Sequence, residues 1–140
     1  MSSKVIQLRI KKRRKELKKG NTDPFEIRDL RDKFFMVDDA YLNGWARLFE
    51  SGVSMVYFAL CRHVGADQTC FPSIAFLSEK LGMGPHTVIK SIKLLELHRL
   101  IKVDRVKGQP NIYWLTDKKK WKKIIRVTPK DFTQDGGAEL

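Results

Sequence analysis

The amino-acid sequence predicts a mainly α-helical protein with a small antiparallel β-hairpin, which is an α+β fold. Apolar residues recur at helical spacing in two short segments, one on each side of Gly82-Met83-Gly84. Two short runs rich in β-branched and aromatic residues follow, separated by the turn sequence Lys107-Gly108-Gln109-Pro110. The length of 140 residues suits one such domain with two tails.

The first helix of the pair is expected to begin after Ser73, whose hydroxyl suits an N-cap. Three apolar residues share one face of this helix: Ile74, Leu77 and Leu81. Gly82 can take the left-handed conformation that ends a helix, and Pro85 suits the first turn of the next one.

The second helix is expected over about 85–98, with one apolar side and one polar side. At about 100° per residue, the apolar side consists of Val88, Ile92 and Leu95, with Ile89 at its margin. The opposite side consists of His86, Lys90 and Lys93. Two helices joined by a short turn, with basic groups facing outward on the second, form the helix-turn-helix pattern. An ordinary helical hairpin with surface lysines is the alternative.

The predicted hairpin directly after the second helix distinguishes these two possibilities. A strand over 100–103, the turn over 107–110 and a strand over 111–115 have the order of the wing in a winged helix-turn-helix. The winged helix-turn-helix is therefore the fold class that the sequence predicts.

Three stretches resemble the winged-helix domain of phage and plasmid replication initiators and related small regulators. They are LGMGPHTVIKSIKLLELHRLI, GQPNIYWLT and, upstream, CRHVGADQTCFPS, and the resemblance spans about 34–116. It implies a winged-helix fold and DNA binding. The family usually has glycine where Arg99 stands, so Arg99 either accepts a left-handed conformation or ends the helix differently.

The basic charge is concentrated at the two ends of the chain. The formal charge is +12, of which residues 1–19 contribute +8 and residues 117–126 contribute +5, leaving −1 for the remainder. Such a distribution favours a polyanion or an anionic membrane surface as the partner. We divide the chain into a basic arm and linker over 1–24, a winged helix-turn-helix domain over 25–116, and a lysine-rich helix with a frayed tail over 117–140.

Upstream of the helix pair, the sequence predicts further helices and one strand, and it leaves the form of the N-terminal segment open. Residues 1–19 fit either a helix or a strand, and either a solvated tail or an arm that contacts phosphates. A short helix is expected over 25–32, and the apolar run over 33–37 is expected to be a third strand that joins the wing.

A helix capped by Asp38 or Asp39 is then expected to bury Tyr41, Leu42, Trp45, Leu48 and Phe49. Another is expected over 53–64, with a buried stripe of Val53, Val56, Tyr57, Leu60 and Val64.

The predicted partner is double-stranded DNA, with the second helix of the pair in the major groove. Predicted contacts from this helix and the wing are His86, Thr87, Lys90, Ser91, Lys93, Arg105, Lys107 and Gln109. Predicted nonspecific phosphate contacts from the flanks are Lys11, Lys12, Arg13, Arg14, Lys15, Lys118, Lys119 and Lys120. A protein-interaction winged helix and an RNA-binding protein are the alternatives. A homodimer or an array of sites is expected to raise specificity. The candidate dimer surfaces are the helix from Tyr41 and the residues Leu94 and Leu97.

Catalytic, metal and membrane functions have little support in the sequence. It has no phosphate loop, paired carboxylates or nucleophile constellation, so neither an enzyme nor a cofactor is expected. Cys61, His63 and Cys70 match no usual zinc spacing, so no metal is expected. No apolar run approaches 18 residues, the N-terminus lacks a signal-peptide core, and two cysteines form no disulfide framework. We therefore expect a cytoplasmic, nucleoid-associated protein.

Overall fold

The computed structural model describes residues 3–18 and 33–124, and the chain divides into two units, residues 1–34 and 35–140. The first unit contains helix α1, Ser3–Lys18, so the helical alternative for this segment is correct. Residues 3–16 are all exposed, including Val5, Ile6, Leu8 and Ile10. The helix expected over 25–32 lies outside the described residues.

The second unit has the predicted fold class, with three α-helices and a small antiparallel sheet in its described residues, 35–124. Its helices are α2, Ser51–His63, α3, Ile74–Leu81, and α4, Pro85–Leu97. Its strands are β1, Thr69–Cys70, β2, Ile101–Asp104, and β3, Ile112–Leu115. Strands β2 and β3, with the turn between them, form the wing.

The boundaries of the helix pair follow the predicted capping chemistry. The Ser73 hydroxyl accepts a hydrogen bond from the Phe76 amide at 3.0 Å, which satisfies one free donor of the first turn. Gly82 ends α3 with φ 64° and ψ 35°, and Pro85 is the first residue of α4. Arg99 takes φ 63°, so it adopts the left-handed conformation despite its side chain.

One hydrophobic core joins the three helices and the sheet. Val88, Ile92 and Leu95 of α4 are buried, as predicted. The other predicted core residues from helices are also buried: Val56 and Leu60 of α2, and Leu77 of α3. Leu115 is only partly buried, whereas Tyr113 beside it in β3 is 1% exposed. The apolar face of α4 is therefore fixed against the domain, and its opposite face is turned outward.

The third strand of the sheet is β1, and the prediction of a strand over 33–37 is wrong. The strand order is β1-β3-β2, with Thr69 opposite Trp114 and Lys102 opposite Trp114 on its other side. Residues 33–37 have no regular secondary structure, and Phe34 and Met36 are 72% and 82% exposed. A short turn after α2 brings β1 to the free edge of β3, which then has a partner on each side.

The predicted helix after Asp38 is also wrong over most of its length. Asp38 does act as a cap, because its Oδ1 accepts a hydrogen bond from the Ala40 amide at 2.9 Å. A π-helical turn, Tyr41–Trp45, and a 3-10 turn, Ala46–Leu48, replace the regular helix. Gly44 has φ 111°, a conformation outside the helix that glycine adopts without strain. Tyr41 is buried, but Leu42 and Leu48 are exposed because the kink turns them outward.

The lysine-rich segment after the wing forms one 3-10 turn, Lys118–Lys120, rather than the expected short α-helix. Asp117 caps it by accepting a hydrogen bond from the Lys119 amide at 2.9 Å. Trp121 is 9% exposed and packs edge-on against Trp45, with ring centroids 5.4 Å apart. Trp121 therefore anchors the segment, while residues 125–140 lie outside the described part of the chain.

Candidate nucleic-acid interface

The outward face of α4 is polar and basic. His86 and Lys90 are exposed and Lys93 is partly exposed, while Val88 and Ile92 on the opposite side are buried. The positions 86, 90 and 93 form one stripe, because residues three and four apart lie on the same side of a helix. We call these three residues the outward stripe. The helix begins after Gly84 and Pro85, and both of these residues are exposed.

Two structural elements border the outward stripe. On one side Thr87 faces the start of α2, since a Cβ placed on Gly52 would lie 3.8 Å from the Thr87 Cγ2 atom. On the other side a narrow crevice separates α4 from the wing, and its lining includes Ile89, Lys93 and Asn111. The stripe is therefore set between the N-terminus of α2 and the wing.

Ser91 was predicted as a DNA contact, and the structure contradicts this. Its side chain is turned inward, and the residue is 3% exposed. The hydroxyl donates a hydrogen bond to the Thr87 carbonyl at 2.8 Å, a common arrangement for serine within a helix. At about 100° per residue, position 91 lies nearer the buried face than the outward stripe. Thr87 remains exposed on that flank.

The tip of the wing carries two of the three predicted wing contacts. Lys107 and Gln109 are exposed on either side of Gly108, which has φ 79°. The turn is closed by a hydrogen bond from the Gln109 amide to the Val106 carbonyl at 3.0 Å. Both side chains therefore extend from an ordered turn into solvent.

Arg105, the third predicted wing contact, has a different immediate partner. Its Nη1 and Nη2 atoms donate to Oε2 and Oε1 of Glu96, each at 2.9 Å. The two side chains are 19% and 25% exposed, so the pair is largely shielded from solvent. Sequence reasoning missed Glu96. The sequence did contain a signal for this pair. Glu96 is the single acidic residue of α4, and it lies nine residues before Arg105 at the start of the wing turn.

Tyr113 and Asn111 lie at the base of the wing, beside Arg105. Tyr113 is 1% exposed, and Asn111 lines the same narrow crevice. Burial is the main cause that raises the pKa of the Tyr113 hydroxyl. Tyr113 therefore has a structural role at the base of the wing.

The basic flanks are exposed where the structure describes them. On α1, exposed cations occupy five consecutive positions: Lys11, Lys12, Arg13, Arg14 and Lys15. Arg13 forms an ion pair with Glu16 at 3.1 Å. In the second unit Lys118, Lys119 and Lys120 are exposed, and the Lys118 Nζ atom lies 3.5 Å from Asp38 Oδ1. Exposed ion pairs of this kind contribute little to stability, so they leave these cations available to a polyanion.

Cys61 and Cys70 are buried free thiols. Burial is the largest cause that raises the pKa of each thiol to about 11. Both therefore stay protonated at neutral pH and have little reactivity. In the described part of the chain, no three His, Cys, Asp or Glu side chains are grouped so that they could hold a metal ion.

A family comparison agrees with this geometry. Residues 53–101, about a third of the chain, match a family described as a helix-turn-helix domain. The match runs from α2 through α4 to the first residue of β2. It supports a helix-turn-helix DNA-binding domain. No curated protein and no solved structure matches the chain. Within residues 3–18 and 33–124, no helix is long and apolar enough to cross a membrane.

Proposed function

We propose that this protein is a double-stranded DNA-binding regulator that acts by binding rather than by catalysis. The observation that carries the proposal is the outward stripe of α4, which lies between the start of α2 and an ordered wing. Helix α4 is placed N-terminus first in the major groove, where its early residues reach base edges. The wing then lies along the neighbouring backbone or in the minor groove.

The side chains of the interface have different roles in this proposal. His86 and Lys90 contact base edges, since lysine donates to guanine O6 and N7, and histidine can donate or accept. Thr87 contacts a phosphate or a thymine methyl group, and Lys93 contacts a phosphate, which orients the helix in the groove. Lys107 and Gln109 contact the backbone or the minor groove from the wing.

The basic arm and the segment over 117–126 supply affinity that is independent of sequence. Each phosphate neutralised by lysine or arginine releases condensed counterions, so this affinity falls steeply with salt. We propose that the basic arm and its linker end at about residue 24, and that the DNA-binding domain ends at about residue 116.

Two base-reading side chains in α4 provide modest specificity for one domain. We propose that a homodimer reads paired half-sites, as two-fold symmetric DNA-binding proteins do. The resemblance of residues 34–116 to phage and plasmid replication initiators favours a repeated origin site. A transcriptional operator is the alternative target, and either role places the protein on the nucleoid.

Selection of duplexes from a random pool by the full-length protein tests the proposed function. We expect one short motif to be enriched, present twice at a spacing near one helical turn, about 10–10.5 base pairs, if a dimer binds. Enrichment of no motif, with equal retention of all duplexes, would contradict base reading by α4.

Preferential retention of hairpin or single-stranded RNA in competition would support the RNA-binding alternative instead. A salt-insensitive protein complex with no shift of DNA would support the protein-interaction alternative.

A further inference from the structure

The Glu96–Arg105 ion pair joins the recognition helix to the wing. Glu96 lies in the last turn of α4, and Arg105 follows the last residue of β2. Both guanidinium Nη atoms donate to the carboxylate at 2.9 Å. This is the bidentate geometry that arginine forms with carboxylates and with phosphates.

A carboxylate in this place is unfavourable for two separate reasons. The C-terminus of a helix carries a partial negative charge, so a glutamate in its last turn is disfavoured. Phosphates near a DNA-binding helix repel it further. Glu96 is the only acidic residue in the sequence of α4. The ion pair with Arg105 compensates for both effects.

The position of the pair shows what it holds in place. Arg105 lines the crevice between α4 and the wing, together with Lys93, Asn111 and Tyr113. At about 100° per residue, Glu96 lies on the same flank of α4 as Ile89, which also lines this crevice. The pair therefore spans the gap between the helix and the base of the wing, beside the outward stripe.

We propose that Glu96 is a specificity-determining positioning residue: it holds the wing against α4 and withholds the Arg105 guanidinium from DNA phosphates. This inference rests on the proposed DNA binding. The carboxylate neutralises the guanidinium and occupies its Nη fork, and the Nε atom is buried, so Arg105 is poorly placed to hold a phosphate at the same time. One sequence-independent contact is thereby removed next to the base-reading side chains, which raises the ratio of specific to nonspecific affinity.

The test compares Glu96→Ala, Arg105→Ala and the double variant, titrated with one random duplex at several salt concentrations. In Glu96→Ala the released guanidinium gains a phosphate, so the slope of log K against log salt becomes steeper by about 0.9. Arg105→Ala and the double variant keep the slope of the unmodified protein. Glu79→Ala, which removes an exposed acid from α3, is the matched control and leaves the slope unchanged.

Two titration results would overturn the proposal. An unchanged slope in Glu96→Ala would mean that the carboxylate does not withhold Arg105. A flatter slope in Arg105→Ala would mean that Arg105 already contacts a phosphate in the unmodified protein.

Hydrogen exchange without DNA tests the wing contact independently of the proposed function. Amides of β2 and β3 are expected to exchange about tenfold faster in both single variants, because local opening of the wing becomes easier. Unchanged exchange in both would overturn the positioning role. If the unmodified protein bound no DNA at all, the proposed function would fail, and the exchange rates would still decide whether Glu96 holds the wing.

Discussion

Helices α1 and α4 have similar lengths, 16 and 13 residues, but they present their cations in opposite ways. The side chains described over 3–16 of α1 are all exposed, so its cations point in many directions. In α4 the burial of Val88, Ile92 and Leu95 fixes the other side of the helix toward solvent. Only α4 can therefore offer side chains at fixed positions to base edges, whereas α1 offers charge.

This difference has an energetic basis. An isolated helix of about 15 residues is marginally stable in water, and packing of an apolar face supplies most helix stability in proteins. The four exposed apolar residues of α1, at 41–59% exposure, supply little of that packing. Helix α4 has three buried apolar residues and a proline in its first turn. The comparison between α1 and α4 can be tested by substitutions that remove either a buried apolar side chain or a charged one.

The largest expected effect comes from removing one buried side chain of α4. Ile92→Ala is expected to lower the free energy of unfolding by about 2–5 kcal/mol, because it removes a buried side chain and leaves a cavity. Denaturant titration measures the change. Ile10→Ala on α1 is the matched control, with an expected change within about 0.5 kcal/mol because Ile10 is 41% exposed. Equal losses in the two variants would mean that α1 is packed as firmly as α4.

The next effect comes from the charge of α1. Deletion of residues 1–19 is expected to weaken binding to all duplexes by similar factors. If the arm neutralises about five phosphates, the slope of log K against log salt flattens by about 4–5 units. Between 50 and 200 mM salt, that difference amounts to about 500-fold in affinity.

A second arm variant separates charge from helix length. Replacement of Lys11, Lys12, Arg13, Arg14 and Lys15 by glutamine keeps the chain intact and is expected to give nearly the same slope as the deletion. An unchanged slope in both variants would show that the arm is a solvated charge run without a role in DNA binding.

Periodicity and capping predicted the region over 73–115 well. Ser73, Gly82 and Pro85 set the helix boundaries through local backbone chemistry that a sequence displays directly. The burial of Val88, Ile92 and Leu95 followed from spacing alone, since one helix face met one core. Local signals and tertiary packing agree in this region, which is the condition for a reliable prediction.

The same reasoning failed where a tertiary partner or one glycine decided the outcome. Residues 33–37 have the composition of a strand, but the third strand of the sheet is β1, which pairs with β3. Gly44 broke a helix whose apolar spacing looked regular. Ser91 was misjudged and Glu96 was missed, because the role of each depends on what faces it, which a single sequence does not show.

A smaller and more selective effect is expected from the outward stripe. Lys90→Ala should keep the fold and reduce affinity for the selected site by about 1–3 kcal/mol, the scale of one good base contact. Binding to a scrambled site should fall much less, because the flanks are unchanged. Lys102→Ala, at an exposed position of β2, is the matched control. Titration of both sites at one salt concentration measures the difference.

The Lys90 result distinguishes three arrangements of the interface. A loss confined to the selected site places Lys90 on a base edge. Equal losses on both sites would place it on a phosphate and would transfer specificity to the wing. No loss on either site would remove α4 from the interface and favour the protein-interaction alternative.

The smallest expected effect concerns Arg99, which follows the C-terminal end of α4 in a left-handed conformation with φ 63°. A side chain in this conformation costs about 1–2 kcal/mol, and glycine avoids that cost but loses more backbone entropy on folding. Arg99→Gly is therefore expected to stabilise the domain by about 0.5–1 kcal/mol in denaturant titration. Arg99→Ala keeps the backbone strain and is expected to show no gain. A loss of stability in Arg99→Gly would show that the arginine side chain itself stabilises the junction between α4 and the wing.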